Sequence, residues 1–210
     1  MKFGASVFLR LAALFAFGLT AASGTTLYSN IGISPTSYDT IANDLWYAQS
    51  FTMGSGDDPY LQTLKLVLAK YGNSVGSVNV DLWSSNGTPG PASFIANIGT
   101  LDETNLTLTA ATFSFTPSSL ITLTDATRYW IVVSDTVSGS TFNWITATSG
   151  SGTKVTGEYT ATYSSGWFTF VGGTANGTPM MEVFTVPEPS TLVISGLGLA
   201  ALALRRRIIR

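Results

Sequence analysis

The chain has no cysteine and no histidine among its 210 residues. The first absence excludes a disulfide framework and thiol chemistry. The second removes the commonest general base, the commonest metal ligand and the side chain that titrates near neutrality. Without histidine there is no Ser-His-Asp triad to assemble. Charge is scarce too, with 10% of residues Asp, Glu, Lys or Arg. The few cations are concentrated at the ends, at Lys2, Arg10, Arg205, Arg206, Arg207 and Arg210. Only Lys65, Lys70, Arg128 and Lys154 remain to face the eleven acids between Asp39 and Glu182, a formal charge of −7. An acidic domain of this kind disfavours nucleic acid or a polyanionic polysaccharide as an electrostatically held partner. No Gly-Lys-Ser/Thr phosphate loop occurs.

What is present divides into three segments. Lys2, an apolar run from Val7 to Leu19 interrupted by Arg10, and the small residues Thr20 to Gly24 have the layout of a secretory signal peptide. Residues 1–23 are assigned to it, as a signal helix. At the other end, Val186-Pro187-Glu188-Pro189 precedes an uncharged run, Ser190 to Leu204, and then the arginine cluster. Thr191 to Leu204 spans roughly 21 Å as a helix, short of the ~30 Å hydrocarbon core. Snorkelling arginines and local thinning of the bilayer close part of that gap. The positive-inside rule places Arg205, Arg206, Arg207 and Arg210 in the cytoplasm as a membrane stop and the preceding domain outside.

Residues 186–210 resemble a PEP-CTERM sorting signal, with Pro187-Glu188-Pro189, a hydrophobic transmembrane helix and an arginine cluster in order. The resemblance implies a Gram-negative, exopolysaccharide-making bacterium. It also implies recognition at Pro187, Glu188 and Pro189 by an exosortase, a membrane protease that removes the hydrophobic tail. The protein would be exported through the inner membrane, held there transiently, and then released to the cell surface or medium.

The middle, 25–185, fits one domain. Short alternating stretches are separated by Gly, Asn, Pro and Ser. Expected strands are Thr26 to Ile31, Leu45 to Met53, Leu61 to Ala69, Ser77 to Trp83, Phe94 to Leu101, Leu106 to Thr116, Arg128 to Ser134, Phe142 to Ala147, Tyr159 to Tyr163, Trp167 to Val171 and Met180 to Val186. The most apolar, Arg128 to Ser134, is the expected central strand. The set predicts an all-β fold, a single antiparallel β-sandwich of jelly-roll type. Tyr47 to Thr52, Leu64 to Leu68, Val80-Asp81-Leu82-Trp83 with Pro89-Gly90, and Tyr129 to Val133 resemble the choice-of-anchor class, R type. That class implies a surface domain without catalytic residues.

Few residues carry chemistry. Asp57-Asp58, after Gly54-Ser55-Gly56, are weak calcium candidates, and a solvated turn is the simpler reading. Asp102-Glu103 would supply an acid and a base for a glycoside-active enzyme, but neighbours on a strand point to opposite faces. Most aromatics are expected in the core. Trp83 is out of step with Val78, Val80 and Leu82, and Trp167 lies beside Gly166 in a turn. These two are the candidate glycan contacts. The leading expectation is a non-enzymatic matrix protein needing no cofactor, structural or adhesive, with exopolysaccharide a possible partner in a biofilm. A carbohydrate-binding module is the alternative.

Overall fold

The computed structural model describes residues 24–72, 74–85, 90–148, 159–163, 166–171 and 177–188. The signal helix expected in 1–23 and the apolar helix expected in 191–204 lie outside the described residues. Among the described residues no helix is long and apolar enough to cross a membrane.

The strands are β1 (Thr25–Ser29), β2 (Pro35–Ala42), β3 (Trp46–Thr52), β4 (Tyr60–Lys70), β5 (Ser77–Ser85), β6 (Pro91–Asp102) and β7 (Ala111–Phe115). They continue as β8 (Ile121–Thr122), β9 (Arg128–Asp135), β10 (Thr141–Ala147), β11 (Tyr159–Tyr163), β12 (Trp167–Val171), β13 (Thr178–Pro179) and β14 (Met181–Val186). One 3-10 turn, Glu103–Asn105, follows β6. All recorded pairings are antiparallel, in two sheets.

The six-stranded sheet runs β12-β11-β3-β9-β5-β6. β9 lies between β3 and β5, as its apolar sequence predicts. The second sheet is built on β4, the 11-residue strand. β14 and β10 lie end to end along one edge of β4, β8 and β7 along the other. β10 pairs with β2 along its other edge and, beyond β4, with β13, and β1 covers the free edge of β14.

The period of two dictates which side chains face inward. Leu64, Leu66 and Leu68 of β4 are fully buried, as are Val78, Val80 and Leu82 of β5. They meet in one cluster with Ile131 and Val133 of β9, Phe142 and Trp144 of β10, and Met181 and Val183 of β14. Residues of both sheets in one core make this a sandwich. The indole of Trp144 also donates to the Met180 carbonyl, 2.9 Å away.

Two strand starts differ from the sequence expectation by three residues or more. Leu106 to Ala110 is not strand. Leu106 closes the 3-10 turn by donating its N–H to the Glu103 carbonyl, and Leu108 projects into solvent, 85% exposed. β6 begins at Pro91, ahead of Phe94. The short strands β8 and β13, and the polar β2, had no alternating apolar signal.

Candidate functional site

The sorting segment grows directly out of the sheet. β14 ends at Val186, paired with Tyr60 of β4, and Pro187 follows without a spacer. On its other side, Thr185 and Phe184 pair with Thr25 and Thr26 of β1. Thr185 is fully buried. The Tyr60 hydroxyl donates to Oε1 of Glu188 at 3.4 Å. Gly24 lies so close to this end that a Cβ there would come within 2.6 Å of the Phe184 ring and the Val186 methyl. Pro187 is half-buried and Glu188 exposed. Pro189, Arg205, Arg206, Arg207 and Arg210 lie outside the described residues.

The two tryptophans singled out by sequence come together. The Trp83 and Trp167 rings are 6.1 Å apart, edge to face at 74°. This is unexpected from strand order, because β12 and β5 are four intervals apart. In a flat sheet that is on the order of 19 Å. The sheet therefore curls, carrying the β11–β12 hairpin over the face that points away from the main core. Tyr163 is 5.3 Å from Trp167 and stacks on Trp46 at 5.0 Å. Phe94 meets Trp83 edge-on at 6.4 Å. Five aromatic rings thus form a continuous band. Beneath it Trp130, Ala48 and Val132 form a second small core, with Trp130 completely buried. Parity explains Trp130: Tyr129, Ile131 and Val133 face the sandwich interior, so Trp130 faces the band.

Such a band can place ring faces against the C–H faces of a sugar, and Phe94, 56% exposed, is its most open member. Among the described residues the buried indole N–H groups of Trp83 and Trp130 have no hydrogen-bond partner. Sequence reasoning missed Phe94 and favoured the core for Trp46 and Tyr163. The available signal was parity, since Trp83 and Trp130 are register partners on adjacent strands.

The carboxylates have local structural duties. Asp57 Oδ2 accepts from Gly54 N–H at 2.6 Å, closing its turn. Asp58 Oδ2 accepts from the Thr25 hydroxyl at 2.9 Å. Among the described residues no three acids converge as a metal site. Asp102 and Glu103 diverge. Asp102 is exposed and caps the 3-10 turn through the Thr104 N–H and hydroxyl, which hold its carboxyl below the usual range. Glu103 is fully buried and faces Asp135, itself 4% exposed.

That buried pair had no sequence signal. Glu103 Oε2 accepts from the Ser140 hydroxyl and from Gly76 N–H at 3.4 Å. Asp135 Oδ1 accepts from Val137 N–H at 2.9 Å. Oε1 of Glu103 and Oδ2 of Asp135 receive no donor from the rest of the described protein. The two carboxyl groups are near enough for the Asp135 charge to act on Glu103. Burial, followed by the Asp135 charge, pushes the Glu103 carboxyl up against the opposing Ser140 bond. Gly76 permits the approach, since a Cβ there would lie 2.6 Å from Asp135 Oδ1.

Two serine spacings also recur in hydrolases: Gly72-Asn73-Ser74-Val75-Gly76 and Ser151-Gly152-Thr153-Lys154. Ser74 is buried in a strand-to-strand loop, the one hydrogen of its hydroxyl directed at the Thr141 and Tyr71 carbonyls, 2.8 and 3.1 Å away. The second spacing lies outside the described residues.

No curated protein matches the chain. Residues 185–207 match the PEP-CTERM protein-sorting motif. The match takes in the last two residues of β14, so the motif begins inside the sheet. The chain is thus a carrier of the PEP-CTERM sorting motif, an exported protein addressed to an exosortase.

Proposed function

We propose that this protein is a non-enzymatic component of the cell surface or extracellular matrix. Its β-sandwich is held briefly at the inner membrane, arginines inward, and freed when the exosortase removes the tail. Its role in an exopolysaccharide matrix is structural or adhesive. The sorting motif running straight out of β14 carries this reading. A domain so attached is cargo, and the residues of the motif are acted upon. The absence of histidine and cysteine and the local duties of the carboxylates support a passive sandwich. So does the resemblance of Leu27 to Thr146 to the choice-of-anchor class. Pulse-labelling the full chain, with and without an exosortase, tests the processing step. The arginine tail is expected to disappear only with the enzyme. Mature protein that keeps Arg205–Arg210 in its presence removes the reading.

The aromatic band favours a second reading, a carbohydrate-binding face for the cell's own exopolysaccharide. Affinity electrophoresis in that polymer separates the two. Trp83→Ala should weaken retardation about tenfold, the effect of losing ~1.4 kcal/mol of ring contact. Trp167→Phe, which keeps Trp130 covered, should weaken it less. Retardation unchanged in both variants, or absent in the native protein, leaves the passive matrix role.

A further inference from the structure

The matched sorting motif and the folded sheet overlap, and both claim the same backbone. Thr185 and Val186 belong to the motif match, yet Thr185 is paired on both sides, to Thr25 of β1 and Leu61 of β4, and Val186 to Tyr60. A protease that takes up a substrate segment in extended form needs that segment's N–H and C=O groups for itself. Glu188, the charged residue of the motif, is engaged as well, by the Tyr60 hydroxyl. Gly24, packed against the Thr185 carbonyl, and the Thr25–Asp58 bond close the same corner from the β1 side. Only Pro187 to Ser190, at most about 14 Å of extended chain, separate the strand from the apolar run.

We propose that the sandwich masks the start of its own sorting motif, so that exosortase processing proceeds through local opening of the Thr185–Glu188 end of β14. The inference rests on the exosortase reading above and specifies its regulation. β1 and Tyr60 are the hold, and Tyr60 is a positioning residue acting through Glu188. Strand ends open at far lower cost than the whole domain unfolds. The register shift between Phe184 and Thr185 interrupts the β4 ladder just before this end, which makes it the natural place to peel. The consequence is an ordered export step. An unfolded chain presents an unmasked motif, whereas a folded one releases it at a rate set by the hold.

The test uses the full chain in cells that carry an exosortase, followed by pulse-labelling. A Gly-Ser-Gly-Ser insertion between Phe184 and Thr185 carries the whole matched segment off the sheet and gives up only the last two ladder positions of β14. It should speed tail removal roughly tenfold, the factor given by losing ~1.4 kcal/mol of hold. Tyr60→Phe should speed it about twofold, the low end for one long, exposed hydrogen bond. Protease resistance of the mature sandwich checks that both variants fold. Equal rates in native, inserted and Tyr60→Phe chains overturn the masking, and so does slower processing of the inserted chain, which would mean that the fold presents the motif. If the native chain itself is never cut, it is the exosortase reading that falls.

Discussion

Glu103 and Asp135 are two carboxyl groups facing each other in a site almost closed to water, and burial together with the Asp135 charge makes Glu103 harder to ionise. The consequence is a stability that depends on pH. An acid whose folded pKa is raised costs nothing extra while it is protonated in both states. The cost appears when the folded protein must ionise it. For Glu103 the contribution is therefore fully present below its ordinary value near 4.5 and is lost as pH rises through the raised folded value. Urea midpoints measured from acid to neutral pH should fall with rising pH in the native protein. Glu103→Gln, which holds a permanent donor in the protonated carboxyl's place, should flatten that fall and be the more stable at neutral pH. Equal slopes in the two proteins would mean that the Glu103 carboxyl is not raised in the folded protein. None of this was legible in the sequence. Asp102-Glu103 reads as a polar turn, and the partner that gives Glu103 its meaning lies on another strand. Trp83 was legible, because a residue out of step with three buried neighbours on its own strand is visible from parity alone.

Strand β4 shows how alternation sets the worth of neighbouring residues. Leu66 is completely buried and points into the core shared by the two sheets. Lys65, one residue earlier, points the other way and pairs with Glu182 of β14 at 2.6 Å, its side chain 41% exposed. Leu66→Ala removes transfer energy and leaves a cavity, so it should cost about 2–5 kcal/mol. Lys65→Ala breaks a partly solvated ion pair and should cost less than about 1 kcal/mol. Equilibrium urea unfolding measures both, and comparable losses would mean that the core around β4 is loosely packed. Strands of this kind were readable because their apolar residues recur every second position. β2 was not. It starts with Pro35, and its inward positions include the buried Asp39, whose charge, after burial, helps push the Tyr47 hydroxyl up to about 12. Leu106 and Leu108 misled in the other direction. Alternate apolar residues there belong to a turn and a loop, because capping of the 3-10 turn outweighs the pattern.

At the scale of the molecule, the sandwich is closed by the two segments nearest its ends. β1 pairs with β14, the last strand before the sorting motif, and this could not be read from either segment alone. The join is more than a fringe. Leu27 and Tyr28 are each 1% exposed and belong to the main core. Asn30, buried just beyond β1, donates its N–H to the Met181 carbonyl at 3.1 Å and accepts from Met181 N–H at 2.7 Å, while its amide donates to Pro179 at 3.0 Å. It extends the pairing past the strand with its side chain. Asn30→Ala leaves a buried N–H and a carbonyl unpaired and should cost about 1–3 kcal/mol, with unfolding still cooperative. Deleting Thr25 to Ser29 should do far more. Two core side chains are worth roughly 3–6 kcal/mol together, against about 5–15 for a typical domain. The ladder along β14 goes with them, and the edge it leaves is the one that leads into the motif. The deleted protein should lose its sharp urea transition, whereas Asn30→Ala keeps one at a lower midpoint. A deletion that unfolds as sharply as the native protein would show that β1 only decorates the sheet. It would also shift the hold on the sorting motif to β4 and Tyr60 alone.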